Sequence, residues 1–176
     1  LVQANAAGTG TETRRATLAQ LRGAVLADRG AHVRDYGARG DGATDDAPAI
    51  QAAVNDLKAK GGGTLQFGAR TYRIASPVLV EGATVRLQGL GFTEGGAGTG
   101  AQGTWLQVDG TGFTPFTFTG AMARGGGLRD LAVRQTHAAA LDANWAPTAH
   151  DWVVRIEDCL GGVDLDNLFL CGVDKG

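Results

Sequence analysis

Hydrophobic and polar residues follow two different periods on either side of residue 61. Between residues 45 and 60, apolar side chains recur every three or four positions, which is the spacing of one helical face. These side chains are Ala49, Ile50, Ala53, Val54 and Leu57. After residue 63, apolar and polar residues alternate in short pieces separated by glycine-rich turns, as half-buried strands do. The pattern therefore predicts one amphipathic helix followed by a long run of strands.

The ends of the predicted helix, Asp45–Lys60, carry their own signals. Thr44 or Asp45 is predicted to cap its start, where the helix dipole favours negative charge. Pro48 suits the first turn, because its missing N–H would have no helical partner there. Gly61 can adopt the left-handed conformation that ends a helix.

The strands are predicted to belong to stacked coils. Similar phrases begin at Val85, Leu128 and Val163, roughly 20 to 45 residues apart, as in a solenoid with insertions at Gly89–Gly103 and Gln135–Asp151. The predicted strands are Thr64–Phe67, Tyr72–Ile74, Val78–Val80, Thr84–Gln88, Thr104–Val108, Phe116–Phe118, Leu128–Arg134, Trp152–Glu157 and Val163–Leu170. A coil buries its apolar face only against its neighbours, so the first coil needs a cover. We expect the helix to be that cover.

The stretch from Val33 to Gly91 contains DYGARGDGATDDAPAIQAAV and GGGTLQFGARTYRI. It resembles the N-terminal signature of the pectate-lyase-like proteins. The resemblance implies an all-β fold, a right-handed parallel β-helix (a solenoid) with an N-terminal amphipathic capping helix, over residues 32–176. No capping element follows the last predicted strand, so we expect further C-terminal coils in a longer protein.

The resemblance does not fix a reaction. The superfamily includes polygalacturonases, polysaccharide lyases, alginate epimerases, exo-glucanases and phage tailspikes, so the fold alone defines no chemistry.

The first 31 residues have a different pattern. Thr17 and Gln20 form a capping box before a second, shorter amphipathic helix. The segment VQANAAGTGTETRRATLAQLRGAV resembles modules that phage structural proteins carry just before a fibre or spike domain. Residues 1–31 are therefore interpreted as an attachment or linker module that binds other virion or tail proteins. The alternative is an ordinary helix packed beside the first coil.

Together, the two resemblances imply a spike or fibre component of a phage-like particle that attaches to host cell-surface polysaccharide. Such spikes are homotrimers located on the virion, and the complete protein could also depolymerise its polysaccharide. One alternative is a free extracellular polysaccharide lyase or glycoside hydrolase. Another is a purely structural anchor of a spike.

Composition and residue spacing exclude several other classes of protein. A net charge of −2 offers no basic field for nucleic acid. No apolar run approaches the roughly 20 residues that span a bilayer. Cys159 and Cys171 do not have a zinc or redox spacing, and we predict that both are buried free thiols. The segment Gly89–Gly100 does not open a helix, so its glycine pattern indicates a flexible loop and not a dinucleotide site.

Two groups of acidic residues are candidate sites. Asp35, Asp41, Asp45 and Asp46 are attributed to a tight turn at Asp41–Gly42 and to the helix start, and their spacing does not match a calcium loop. Calcium binding by this cluster is the alternative interpretation, and no metal or cofactor is predicted.

Asp164 and Asp166 are the second group. They alternate on one strand face about 7 Å apart, which is a spacing open to an inverting hydrolase. A solvated strand face is the preferred interpretation of this pair. Catalytic residues are unassigned and are expected in later coils.

The longest insertion contains the predicted carbohydrate-binding residues. Tryptophan rings stack on sugars, and loops on a rigid scaffold often carry binding. The predicted residues are Trp145, His150, Asp151 and Trp152. The alternative is that both tryptophans pin the loop onto the coil by burying their area.

Overall fold

The computed structural model describes residues 2–5, 11–14, 30–93, 102–137 and 146–175. The chain divides into two compact units, Leu1–Gly30 and Ala31–Gly176. In the first unit, β1 (Val2–Asn5) and β2 (Thr11–Arg14) pair antiparallel. The predicted helix that begins near Thr17 lies outside the described residues.

The second unit begins with β3 (Ala31–His32), a 3-10 helix (Val33–Tyr36), β4 (Asp41–Asp45) and α1 (Ala47–Ala59). The remaining elements are β5 (Gly63–Gln66), β6 (Thr71–Ile74), β7 (Val78–Glu81), β8 (Val85–Gln88), β9 (Phe92–Thr93), β10 (Gln102–Gly103), β11 (Trp105–Val108), β12 (Phe116–Thr119), a 3-10 helix (Ala121–Ala123), β13 (Gly127–Gln135), β14 (Val154–Glu157) and β15 (Asp164–Cys171). Each of the nine predicted strands overlaps one of these.

Strands from successive coils pair in parallel. One stack contains β5, β8 and the first parts of β13 and β15, and a second contains β6, β11 and their later parts. A third contains β7, β12 and β14. Asp130 and Asn167, both with positive φ, bend β13 and β15 from the first stack into the second. The predicted fold class is confirmed in its coarse form, as a mostly-β domain of parallel strands in a curled sheet.

The register places like residues above one another. Tyr72, Leu106 and Val133 are in register across β6, β11 and β13, and all are fully buried. Val80 and Phe118 form a similar buried pair in the third stack. Because side chains alternate along a strand, the neighbouring columns face outward. The alternation in the sequence therefore corresponds to an apolar interior shared by all coils.

The first strand of each stack has a partner on its free side. In the first two stacks this partner is a short strand: β3 pairs with β5, and β4 pairs with β6. In the third stack, Gln51 of α1 takes this place. Its Nε2 donates to the Leu79 carbonyl at 3.0 Å, and the Leu79 N–H donates to its Oε1 at 2.7 Å. A single side chain therefore satisfies both backbone groups of Leu79 at the edge of β7.

The start of α1 differs from the prediction. The helix begins at Ala47, so the N-cap residue is Asp46, and neither Thr44 nor Asp45 holds that position. The Asp46 carboxylate accepts instead from the N–H groups of Arg39 and Gly40, at 2.7 and 3.0 Å. Asp45 accepts from the Ala47 N–H at 3.1 Å. The predicted cap position is therefore wrong, because the buried Asp46 carboxylate binds the backbone of the preceding loop.

Two other signals at the helix ends are confirmed. Pro48 lies in the first turn, and Gly61 follows the helix with a φ of 92°.

Asp41–Gly42 lies in the irregular strand β4, and the predicted turn is made there by the side chain, because the Asp41 carboxylate accepts from the N–H groups of Ala43 and Thr44 as in an Asx turn. Two other expectations are corrected by the structure. Cys159 and Cys171 are free but half-exposed, since they lie in a turn and on an outward column of the last described coil. The predicted glycine loop contains a short antiparallel hairpin, β9 with β10, at its base.

Candidate functional site

The candidate site is the end of the long insertion between β13 and β14. We call residues 146–153 the return limb, because they lead the chain back to β14. Trp145 lies just outside the described residues, so its predicted role stays a prediction. Within the limb, Trp152 is 47% exposed, whereas His150 is 4% exposed. The predicted residues therefore have different environments.

His150 is a buried anchor in this structure. Its Nε2 donates to the Thr136 carbonyl at 2.7 Å, and its ring lies edge-on to that of His137 with centroids 5.1 Å apart. The sequence interpretation of His150 as a direct sugar contact conflicts with this burial. The residue instead ties the return limb to the end of β13.

Asp151 is half-buried and Trp152 is exposed. The Asp151 carboxylate accepts from the Trp152 N–H at 2.9 Å, and the Asp151 carbonyl accepts from Gln135 Nε2 at 3.0 Å. Trp152 also forms a parallel bridge with Lys175. The backbone of Trp152 is therefore held on both sides, while much of its indole remains open to solvent. This combination of a fixed backbone and an open aromatic ring suits stacking on a sugar face.

The limb leads into β14, which belongs to the third stack. Its outward residues form two in-register columns across three strands. One column contains Leu79, Thr117 and Arg155, and the other contains Glu81, Thr119 and Glu157. This face thus offers hydroxyl, guanidinium and carboxylate groups, which are suitable partners for sugar hydroxyls.

Asp164 and Asp166 have a structural explanation. The register brings Asp164 to Arg86, at 3.1 Å, and Asp166 to Arg129, at 3.0 Å. These side chains line a shallow depression of about 370 Å³ on the outside of the first stack. Because both carboxylates are paired with arginines, the structure favours the interpretation of a solvated strand face over a hydrolytic pair.

The N-terminal aspartates also bind backbone groups. Asp41 accepts two N–H groups and the Thr44 hydroxyl, which lowers its pKa to about 2. Asp46 is buried, and this desolvation raises its pKa even though it accepts from Arg39 and Gly40. Asp45 bridges to Ala75, whose N–H donates at 3.0 Å.

Among the residues that the structure describes, no three candidate ligands group around a metal position. In the same part of the chain, no helix has the length and hydrophobicity needed to cross a membrane.

Sequence reasoning missed Gln135 as a functional residue. It is in register with Val108 and, through β11, with Ile74, so it is a polar side chain in an apolar inward column. It is only 4% exposed. Its Oε1 accepts from the Asp174 N–H at 2.8 Å, while its Nε2 binds the Asp151 carbonyl. A glutamine at an apolar position of an alternating strand is the signal that could have identified it.

A family model described as rhamnogalacturonase A/epimerase, pectate lyase-like, matches residues 31–107. This part of the chain is therefore similar to pectate-lyase-like domains.

Mannuronan C5-epimerase AlgE6 of Azotobacter vinelandii is 32% identical over 117 residues, covering 63% of this chain and 13% of that protein. Alginate lyase 7 of the same organism is 48% identical over 44 residues, covering 25% and 5%. This chain thus spans only a small part of these relatives. ORF18 of Geobacillus virus E2 superposes with a TM-score of 0.53 at 24% identity, covering 75% of this chain and 27% of that one, and supports the fold alone.

Proposed function

We propose that this chain is the N-terminal part of a polysaccharide-binding spike of a phage-like particle. In this proposal, residues 32–176 are the first coils of a right-handed parallel β-helix, and α1 closes the first coil. Support for the cap comes from β3, β4 and Gln51, which provide a partner for the first strand of each stack. The apolar face of α1, including Ile50 and Leu57, is buried in the common core.

The observation that carries polysaccharide binding is the exposed side chain of Trp152, in the limb that leads into β14. Because the backbone of Trp152 is already held, sugar binding orders little further backbone, which favours binding. Relatives of this domain include proteins named for mannuronan and alginate, so an acidic polysaccharide is the first substrate class to test.

The proposed spike role rests on the N-terminal module. Residues 1–30 form a compact unit of their own, and their sequence resembles modules that precede phage spike domains. In this role, residues 1–31 bind other virion or tail proteins and the complete protein is a homotrimer. The location is then the virion, or otherwise the extracellular space.

We propose that further coils stack on the last described one. Ile156, Leu165 and Leu170 belong to inward columns but are 45%, 49% and 39% exposed. In earlier coils the residues of these columns are buried, so the same positions here offer an apolar surface for a following coil.

A second candidate is a polysaccharide-modifying enzyme, which the similarity to AlgE6 over 117 residues favours. Its catalytic residues would then lie in later coils. Incubation of the full-length protein with polymannuronate and pectate, followed by analysis for unsaturated uronates, reducing ends or altered epimer content, distinguishes this candidate from binding alone.

We expect Trp152→Ala in the full-length protein to weaken glycan binding about tenfold, which is a usual loss for a central aromatic contact. Leu160→Ala is the matched control, because Leu160 is 78% exposed and lies in the turn after β14. Binding is measured by calorimetry against alginate, pectate and capsular polysaccharides. Unchanged affinity in Trp152→Ala would contradict the proposed site. If the wild-type protein binds no glycan at all, the remaining interpretation is a purely structural anchor of a spike.

A further inference from the structure

The outward face of the second stack contains a positive charge without a counterion. Arg134 is half-buried on β13, in register with Gln107 on β11. Its Nη2 donates to Gln107 Oε1, and its guanidinium lies over the ring of Trp105, 5.8 Å from the centroid. Among the described residues it forms no ion pair with a carboxylate, and its buried Nε has no hydrogen-bond acceptor.

The two other arginines that the structure shows as half-buried do have carboxylate partners. Arg73 Nε donates to Asp109 at 2.6 Å, and Arg86 Nη2 donates to Asp164 at 3.1 Å. Asp109 directly follows β11, but its charge is already balanced by Arg73. A guanidinium that is partly removed from water and lacks a counterion costs free energy. The charge of Arg134 is therefore a favourable partner for an anion from outside the chain.

Two further aromatic rings join the ring of Trp105 beneath Arg134. The Phe169 ring lies edge-on to that of Trp105, with centroids 5.9 Å apart, and stacks on the ring of Phe92 at 5.7 Å. The small Ala132 lies in register between Trp105 and Phe169, which lets the two rings meet. Phe92 and Phe169 are only half-buried. The face thus combines a cation with partly open aromatic rings.

We propose that Arg134, Gln107 and the pair of Phe92 and Phe169 form a second glycan subsite, which binds the carboxylate of a uronate residue. This proposal rests on the proposed function, and it names the acidic group that the glycan must carry. Guanidinium forms strong charge-assisted hydrogen bonds with carboxylates, aromatic rings pack on the apolar faces of sugars, and an amide can bind a hydroxyl.

The proposed subsite and Trp152 lie on different parts of the domain. Arg134 belongs to the second stack, whereas the return limb with Trp152 leads into the third. Substitutions at the two positions therefore test two separate contacts with the glycan.

The test compares alginate with carboxyl-reduced alginate, which has the same chain of sugars without the negative charges. Binding to the full-length protein is measured by calorimetry. Arg134→Gln should weaken alginate binding about tenfold, which is a usual loss for a hydrogen bond to a charged group. Its affinity for carboxyl-reduced alginate should stay within about twofold of wild type.

Arg129→Gln is the matched control. Arg129 is exposed on the first stack and already pairs with Asp166 at 3.0 Å. This variant removes the same charge from the chain, but its affinity for alginate should stay within about twofold of wild type. An equal loss in both arginine variants would indicate a general effect of charge and would overturn the proposal.

Denaturant titration without glycan separates binding from a structural role. Arg134→Gln should not lower the midpoint of unfolding, because it removes a partly desolvated charge that has no counterion. A lowered midpoint together with weaker binding of both polymers would assign Arg134 a structural role and overturn the proposal. Polyglutamate that binds more tightly than alginate, and only when Arg134 is present, would indicate an acidic protein segment as the ligand and would also overturn it.

The two proposed sites can fail separately. If Trp152→Ala weakens alginate binding and Arg134→Gln does not, the proposed function stands and the uronate subsite fails. If only Arg134→Gln weakens it, the site at Trp152 fails and the subsite stands. A wild-type protein that binds neither alginate nor its carboxyl-reduced form would contradict both.

Discussion

Replacing Gly127 with alanine should destabilise the protein by about 3 kcal/mol or more. Gly127 lies between Arg86 and Asp164 in the first stack, in register with both. A Cβ atom there would lie 1.8 Å from the Asp164 carbonyl oxygen, and its φ of 149° is one that residues with side chains rarely adopt. The substitution would therefore force β13 and β15 apart. The measurement is the free energy of unfolding from denaturant titration.

Two matched glycines separate the causes of this effect. Gly82 has a φ of 60° but no atom within 4 Å of its Cβ position, so Gly82→Ala should cost only about 1 kcal/mol. Gly162 has neither strain nor close neighbours, so Gly162→Ala should change stability by less than about 0.5 kcal/mol. An equal loss in all three variants would show that close stacking at Gly127 does not determine the effect.

Replacing Phe118 with alanine should cost about 3 to 5 kcal/mol. Phe118 is fully buried and is in register with Val80 in the coil before and Ile156 in the coil after. Truncation would leave a cavity between coils, and its lining would lose contacts on both sides. The change in the free energy of unfolding is again the quantity to measure.

The neighbouring residue provides the control for Phe118. Thr117 belongs to the outward column of the same strand, so Thr117→Ala should cost less than about 1 kcal/mol. A loss below 1 kcal/mol for Phe118→Ala, or a larger loss for Thr117→Ala, would contradict the assignment of inward and outward columns.

The positions of the strands could be predicted because alternation and glycine are local signals. All nine predicted strands overlap observed ones, and the stop at Gly61 was also correct. Features that depend on distant partners could not be predicted in the same way. The role of Gln51 requires the edge of β7, which lies 28 residues away, and the loop contacts of Asp46 displaced the expected cap.

The candidate site also combines a local signal with features that depend on distant partners. The sequence pattern identified the insertion, and its end does contain the exposed side chain of Trp152. The sequence could not predict that Trp152 is exposed while His150 is buried, because the burial of His150 depends on Thr136 and His137, which follow β13. The arginine partners of Asp164 and Asp166 could not be predicted either, because these arginines belong to earlier strands that lie next to β15 only in the folded structure.

The account depends most on the parallel, in-register stacking of successive coils, and paired cysteines test this directly. Thr117 and Arg155 face outward on neighbouring strands and are in register, so their Cα atoms are about 4.8 Å apart. In a background with Cys159 and Cys171 changed to serine, Thr117→Cys with Arg155→Cys should form a disulfide under mild oxidation. Thr117→Cys with Glu157→Cys is offset by two residues, about 8 Å, and should not. Efficient crosslinking of the offset pair, with none in the aligned pair, would contradict the stacked-coil structure.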